Sequence, residues 1–405
     1  MTLRIASLSV ARKSGRVGPA LALALAVVAA VAGVATAAPV TTVTAPCSST
    51  SQAPQPLTVN VPGTGGQQAT GIYSLPATAP KGIVVVGHGF PGTATTFAAQ
   101  VQQIATNDHV IALSMNYRGT DLSTGLGWRV IEGAHDSIAA TKLFDGACPG
   151  NTSFVNTVVG ISMGGNMSGI AVSSNATRAD GATALYDYWF DVSGVTNVPE
   201  IYADGLAIST VPLGSVQALG QNAVNAMNAE FGGTPVTALG AYLSNSPVFR
   251  AGAMRASGLK GVEIFHGIDD GEVTADQSAQ MATALGVTGI PTDVYTSLFN
   301  TPGGSNGLTL DGDTLGAVLD VLNQDALMGM LPAYVSPFSG HVSAVVLSTA
   351  LAHLNALYTT GQAPTGLSVT LADGDLGTYP LLSVANPLSL LPNVLATLPG
   401  VLAGL

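Results

Sequence analysis

The pentad Gly160-Ile161-Ser162-Met163-Gly164 is the sharpest chemical signal in this sequence. The apolar pair Val158-Val159 precedes it and a helix-like stretch follows. A serine between two glycines in a strand–turn–helix setting makes a nucleophile elbow. The turn is too tight for side chains at the glycine positions, and the hydroxyl projects past the carboxyl end of the strand. Ser162 is therefore the expected nucleophile. Met163 N–H, opening the next helix, is an expected donor to the oxyanion of an acyl-transfer intermediate. A second Gly-rich segment, His88-Gly89-Phe90-Pro91-Gly92, directly follows the apolar run Ile83–Gly87. Such a loop can bring a second backbone donor to the oxyanion, and Phe90 N–H is expected in that role; one such donor typically contributes about 3 kcal/mol. His88, at the strand end, reads as a loop-stabilising residue.

These residues need a scaffold, and the hydropathy pattern supplies one. Residues 57–61 and 70–75 are short β runs separated by Pro62 and a Gly63-Thr64-Gly65-Gly66 turn, which predicts an antiparallel hairpin. The run at 83–87 is apolar throughout, as expected of a strand buried on both faces. Then follow a helix over 94–107, a strand over 110–115, a helix over 131–145, a strand over 155–161, a helix from Met163 and a strand over 186–192. Regular alternation of strand and helix predicts βαβ units and a parallel sheet. The alternation stops at 194–258, which reads as a helical cap inserted above the sheet. It resumes with Gly261–His266 and a helix over 274–285. A second insertion, 300–335, carries a helix near 312–329, and a helical run covers 342–358. The predicted organisation is core at 57–193, cap at 194–258, core again at 259–360, and an apolar tail at 361–405, which bears no charge after Asp375.

The order of strand, His-Gly loop, strand, helix, elbow and helix resembles the α/β-hydrolase superfamily. Asn116-Tyr117-Arg118-Gly119 is similar to a turn in its prolyl-oligopeptidase-like and dienelactone-hydrolase-like members. So is the later pairing of Ser246-Pro247 with Phe265-His266-Gly267-Ile268-Asp269-Asp270-Gly271-Glu272-Val273. The resemblance spans roughly residues 57–360. It implies a mostly parallel, doubly wound sheet and a catalytic acid at Asp270, with the adjacent Asp269 second and Asp191 third. The family's chain order, Ser…Asp…His, leaves His341 and His353 as the base. His341 lies in a Gly-His loop before a helix and is preferred; His353 lies inside that helix. The 71 residues between Asp270 and His341 exceed the family's usual spacing, and the 300–335 insertion accounts for much of the excess.

The resemblance implies ester hydrolysis through an acyl-enzyme with no cofactor. An amide or peptide hydrolase with the same triad is the alternative, and a non-catalytic envelope or adhesion protein the third reading. The expected partner is a small-molecule or polymeric ester or amide. No metal-site spacing is present.

Composition bounds these readings. The 405 residues include 12 basic and 23 acidic ones, a net charge of −11; 47% are hydrophobic and only 9% charged, which excludes a mainly disordered chain. So few basic residues also argue against nucleic-acid binding. Residues 1–38 have the layout of a secretory leader: Arg4, Arg12, Lys13 and Arg16, an apolar stretch over 19–35, then Ala35-Thr36-Ala37. Export and no stable membrane insertion after cleavage are expected. Removing the leader's four basic residues from the 12 leaves 8 against 23 acidic ones, a surface suited to neutral substrates. Residues 39–56 read as a flexible lead-in. The chain's two cysteines, Cys47 and Cys148, are expected to form a disulfide in an oxidising compartment.

Overall fold

A strand buried on both faces must present apolar side chains alternately to each, and the central strands do so. Ile83, Val85, Leu113, Val158, Trp189 and Ile264 pack into a core on one side of the sheet. Val84, Val86, Ala112, Val159, Phe190 and Phe265 pack into a separate core on the other. Each such side chain contributes roughly 1.5–3 kcal/mol on burial, so both sides of the sheet must be covered by helices.

The computed structural model describes residues 47–148, 150–210, 214–267, 270, 272–297, 341–342, 344–373 and 377–384. The expected leader, the first part of the lead-in, the 300–335 insertion and the end of the tail lie outside these residues. In chain order the elements are β1 (Gln55–Asn60), β2 (Gln68–Ser74), β3 (Gly82–Gly87), α1 (Ala98–Asn107), β4 (Ile111–Met115), α2 (Val130–Ala147), β5 (Val155–Ile161), α3 (Met163–Val172) and β6 (Tyr188–Val192). There follow α4 (Val198–Ile208), α5 (Gly214–Phe231), α6 (Leu239–Ser244), α7 (Ala251–Ala256), β7 (Gly261–Gly267), α8 (Ala275–Thr288), β8 (Thr292–Ser297), α9 (Ala344–Thr360), β9 (Leu367–Asp373) and β10 (Gly377–Val384). The ten strands form one sheet in the order β1-β2-β4-β3-β5-β6-β7-β8-β9-β10. The expected hairpin is present, with β1 antiparallel to β2 and β2 antiparallel to β4. From β4 to β9 every neighbouring pair is parallel. This is the α/β-hydrolase fold. Helices α1 and α9 cover one face, through Ile104, Leu354 and Tyr358. The other face is covered by α2, α3 and α8, through Phe144, Met167, Met281 and Leu285.

Two boundaries differ from the sequence reading. The stretch 194–258 is not all cap. Pro247 and Met254 sit against Gly169 of α3, and Ser257 Oγ donates to Val172 O. The segment from Ser246 is therefore the ordinary crossover to β7, read as cap because its short helices carry the same small apolar residues. The cap proper is α4–α6. The stretch 361–405 is likewise not all tail, since Leu367–Asp373 and Gly377–Val384 extend the sheet as β9 and β10. Leu367, Val369 and Leu371 alternate with Ser368, Thr370 and Ala372, and the exposed edge of β8 gives that period-two pattern a partner. Pro380 falls on the edge strand, where a missing N–H is tolerated.

The lead-in is tied down within its length. Cys47 is bonded to Cys148 at the end of α2, with Cα atoms 5.7 Å apart and a sequence separation of 101. Closing so long a loop in the unfolded chain stabilises the fold by about 4–5 kcal/mol in the chain-entropy model. Cys47→Ser is expected to lower the thermal midpoint by several degrees relative to the oxidised wild type. The same gap should appear in the wild type after reduction, and equal melting of oxidised and reduced protein would overturn this expectation.

Candidate active site

The geometry at Ser162 is set by crowding around the end of β5. Ser162 has φ 56° and ψ −124°, a positive φ for a residue with a β-carbon. A β-carbon at Gly160 would collide with Ser168 Oγ and Gly164 O, and one at Gly164 with Gly87 O. The two glycines therefore let the turn close against β3. Ser162 N–H donates to Val192 O at 3.0 Å, and Ser162 O accepts from Val195 N–H at 3.0 Å, which locks the turn to the end of β6. Met163 is the first residue of α3, so its N–H is one of the helix's leading donors that no intrahelical carbonyl can satisfy.

The His-Gly loop after β3 lies alongside. Gly89 is so near that a β-carbon on it would stand 3.0 Å from Ser162 Cβ and 3.3 Å from Oγ. Phe90 and Ser162 line the same narrow cavity of about 50 Å³, with Trp128 tilted against Phe90 at 5.8 Å between ring centroids. The Phe90–Pro91 peptide is cis. His88 is fully buried and stacked on Tyr117 at 3.9 Å, with Nδ1 2.9 Å from Gly89 O. Burial pushes its pKa down to about 4, only partly opposed by backbone hydrogen bonds. It is therefore a neutral packing residue at neutral pH.

The expected acid, Asp270, and the expected base, His341, lie beyond β7 and β8. Asp270 Oδ1 accepts from the N–H groups of Glu272 and Val273, both at 3.0 Å, which fixes its carboxylate at the end of β7. His341 Nδ1–H donates to Asp270 Oδ2 at 2.8 Å. Burial alone would raise the Asp270 pKa. The charge of His341 and hydrogen bonds from His266 and His341 outweigh it and hold the carboxyl well below its usual range. Burial would likewise favour neutral His341, but the charges of Asp270 and then Glu272, with the Asp270 hydrogen bond, raise it to about 9.

Asp269 lies outside the described residues. Asp191 is fully buried on β6, and neither carboxylate oxygen has a hydrogen-bond partner. Burial pushes its pKa up to about 7 against the opposing charge of His266. His353 packs on Tyr295 at 4.2 Å between ring centroids, with Nδ1 3.0 Å from Glu263 Oε2.

Two site residues escaped the sequence reading. His266 Nε2 lies 2.7 Å from Val273 O and 3.3 Å from Asp270 Oδ2, and Nδ1 lies 2.5 Å from Ser278 Oγ, so it braces the acid loop. Glu272 lines the Ser162 cavity, with Oε2 3.8 Å from His341 Nε2. Its spacing, two residues past the acid, was the only available signal. Cap helices α4 and α5 supply the outer wall through Ile201, Gly205, Ile208 and Gly220. The cap is fastened to the core by Glu230, which accepts from Ile131 N–H at 3.0 Å and from Arg129 at 3.3 Å. Among the described residues no group of three or more His, Cys, Asp or Glu is placed to hold a metal.

No protein-family model matches the sequence, and no curated protein matches it. Among solved structures, the chain is similar to Pyrococcus horikoshii acylaminoacyl peptidase (18% identity, 68% of this chain and 41% of that one, TM-score 0.45). It is also similar to a Mycobacterium tuberculosis puromycin-hydrolyzing peptidase (18%, 71% and 40%, TM-score 0.46), and to an esterase from the archaeon Pyrobaculum calidifontis (17%, 68% and 86%, TM-score 0.44). The chain spans well under half the length of the two peptidases. Likenesses this distant assign no reaction.

Proposed function

We propose that this chain is an exported serine hydrolase that cleaves a carboxylic ester through Ser162, His341 and Asp270. The observation that carries the reading is the buried Asp270–His341 hydrogen bond at 2.8 Å, held next to a cavity that Ser162 itself lines. In this reading Ser162 Oγ attacks the carbonyl carbon and passes its proton to His341 Nε2. The N–H groups of Phe90 and Met163 hold the oxyanion, and His341 then protonates the leaving oxygen. Water, deprotonated by His341, attacks the acyl-enzyme and releases the acid and Ser162. Asp270 keeps the imidazole in the tautomer that presents Nε2 and offsets the charge of the imidazolium.

The apolar wall of Phe90, Trp128, Val195, Ile201 and Ile208 favours a neutral, partly hydrophobic substrate. The mostly apolar lining among the described residues favours an ester ahead of an amide in this reading. The basic–apolar–small layout of residues 1–38 is what supports export.

A fluorophosphonate is expected to label the purified protein on Ser162, as mapped by mass spectrometry. p-Nitrophenyl butyrate should turn over at least tenfold faster than the matched anilide. No adduct on the folded protein would overturn the hydrolase reading, and comparable anilide turnover would favour the amidase.

A further inference from the structure

The two nitrogens of His341 face two different carboxylates. Asp270 takes Nδ1 at 2.8 Å from behind. Glu272 stands 3.8 Å from Nε2 on the side of the Ser162 cavity, whose wall it forms. A relay of serine, histidine and one acid does not account for that second carboxylate. Among the described residues its Oε1 is buried with no hydrogen-bond partner, and its neighbours in the wall include the apolar Phe90, Trp128, Val195 and Val273. The charged groups around the ring are, among the described residues, Asp270 and Glu272; His266 in turn faces Asp270 at 3.3 Å.

We propose that Glu272 is a positioning residue of this site: facing Nε2 from the substrate cavity, it acts through His341 as a second counter-charge and tunes the hydrolase to alkaline conditions. The inference rests on the Ser162–His341–Asp270 reading. A carboxylate within about 4 Å favours the charged imidazole. It therefore keeps the resting ring protonated at neutral pH, where an imidazolium cannot accept the Ser162 proton. Once the pH is high enough to empty Nε2, the same carboxylate makes His341 a stronger base and stabilises the imidazolium formed as Ser162 attacks. The direction of the His341 shift agrees with this, since Glu272 is its second charged contributor after Asp270. Glu272 itself is held up to about 7 by burial, against the attraction of His341 and with the repulsion of Asp270. It is thus largely ionised in the alkaline range where the device works.

The test compares Glu272→Gln with the wild type, reading kcat/KM for p-nitrophenyl butyrate and the rate of fluorophosphonate labelling of Ser162 from pH 5 to 10. Removing the charge is expected to move the acid limb down by about one pH unit or more, the usual effect of an adjacent opposite charge. The two profiles should cross, with E272Q about tenfold faster near pH 7 and slower than wild type on the alkaline plateau. Glu272→Asp, which withdraws the charge by one methylene, should fall between. Coincident acid limbs, or a uniform loss at every pH with Ser162 still labelled, would overturn the role of Glu272 alone. A wild type that is never labelled would overturn the triad reading and this inference with it. Should E272Q fail to fold, nitrogen-15 NMR of His341 in the wild type and in Glu272→Asp decides: a lower midpoint in the variant supports the inference, and an equal one overturns the role of Glu272.

Discussion

Ser162→Ala is expected to lower kcat by about a millionfold, the scale seen when the nucleophile of a triad is removed, while the protein still folds and melts cooperatively. The argument is geometric. The hydroxyl of Ser162 makes none of the contacts that close the elbow; those are the backbone bonds to Val192 and Val195 and the approach of Gly160 and Gly164 to their neighbours. Removing one oxygen therefore leaves the scaffold intact and takes away the atom that the proposed mechanism acylates. Ser162→Gly carries the argument one step further. At φ 56° and ψ −124° a β-carbon is strained, at a cost of about 1–3 kcal/mol, and glycine has none. S162G should be equally inactive yet melt a few degrees higher than the alanine variant. Activity assays and thermal melts on the two proteins check both halves. Turnover retained by either variant would remove Ser162 from the mechanism.

Asp270→Asn is the second large effect. Asparagine keeps the shape, but its amide NH2 can meet His341 Nδ1 as a donor. That favours the tautomer with the proton on Nε2, which cannot accept from Ser162. A loss of about 10⁴ in kcat is expected. The same substitution should change the pH dependence of stability. The Asp270 pKa is depressed in the fold, so its contribution is present above its unfolded value, near 3.9, and fades as pH falls through the folded one. The His341 pKa is raised from 6.5 to about 9. Its contribution is therefore complete below pH 6.5 and is lost as pH climbs toward 9, on the order of 3 kcal/mol for the coupled pair. Wild type should therefore lose thermal stability between pH 6.5 and 9, and D270N should be flatter there. Parallel curves for the two proteins would mean that the pair is not charged in the fold.

Local pattern reached far into this chain. The elbow declares itself because its glycines stand at fixed offsets from the serine after an apolar strand, and that arrangement is a property of a few consecutive residues. The same holds for the strands from 83 to 192, whose apolar runs are broken only by a few buried polar residues, Ser114, Asn156, Thr157 and Asp191, because both faces are covered. Polar strands were harder. Thr292–Ser297 forms β8 between β7 and β9 with only Thr292, Val294 and Ser297 buried, and its β-branched and aromatic residues were the only cue. The strands beyond Leu367 read as apolar tail because nothing in the local sequence names a partner for them until β8 offers an edge to pair with.

Residue types and spacing were enough to point to Ser162, the His-Gly loop, the alternation that demands a parallel sheet and, through the family resemblance, the expected order of acid and base. Only the tertiary structure decided which carboxylates meet the histidine. Asp270 and His341 are 71 residues apart in sequence but 2.8 Å apart in space, Asp191 is sealed in the core without a partner, and Glu272 turns toward Nε2 from the cavity. No local rule contains those facts. The loops after separate strands converge because the strands are parallel neighbours whose carboxyl ends share one edge, and the protonation of each group depends on what burial places around it.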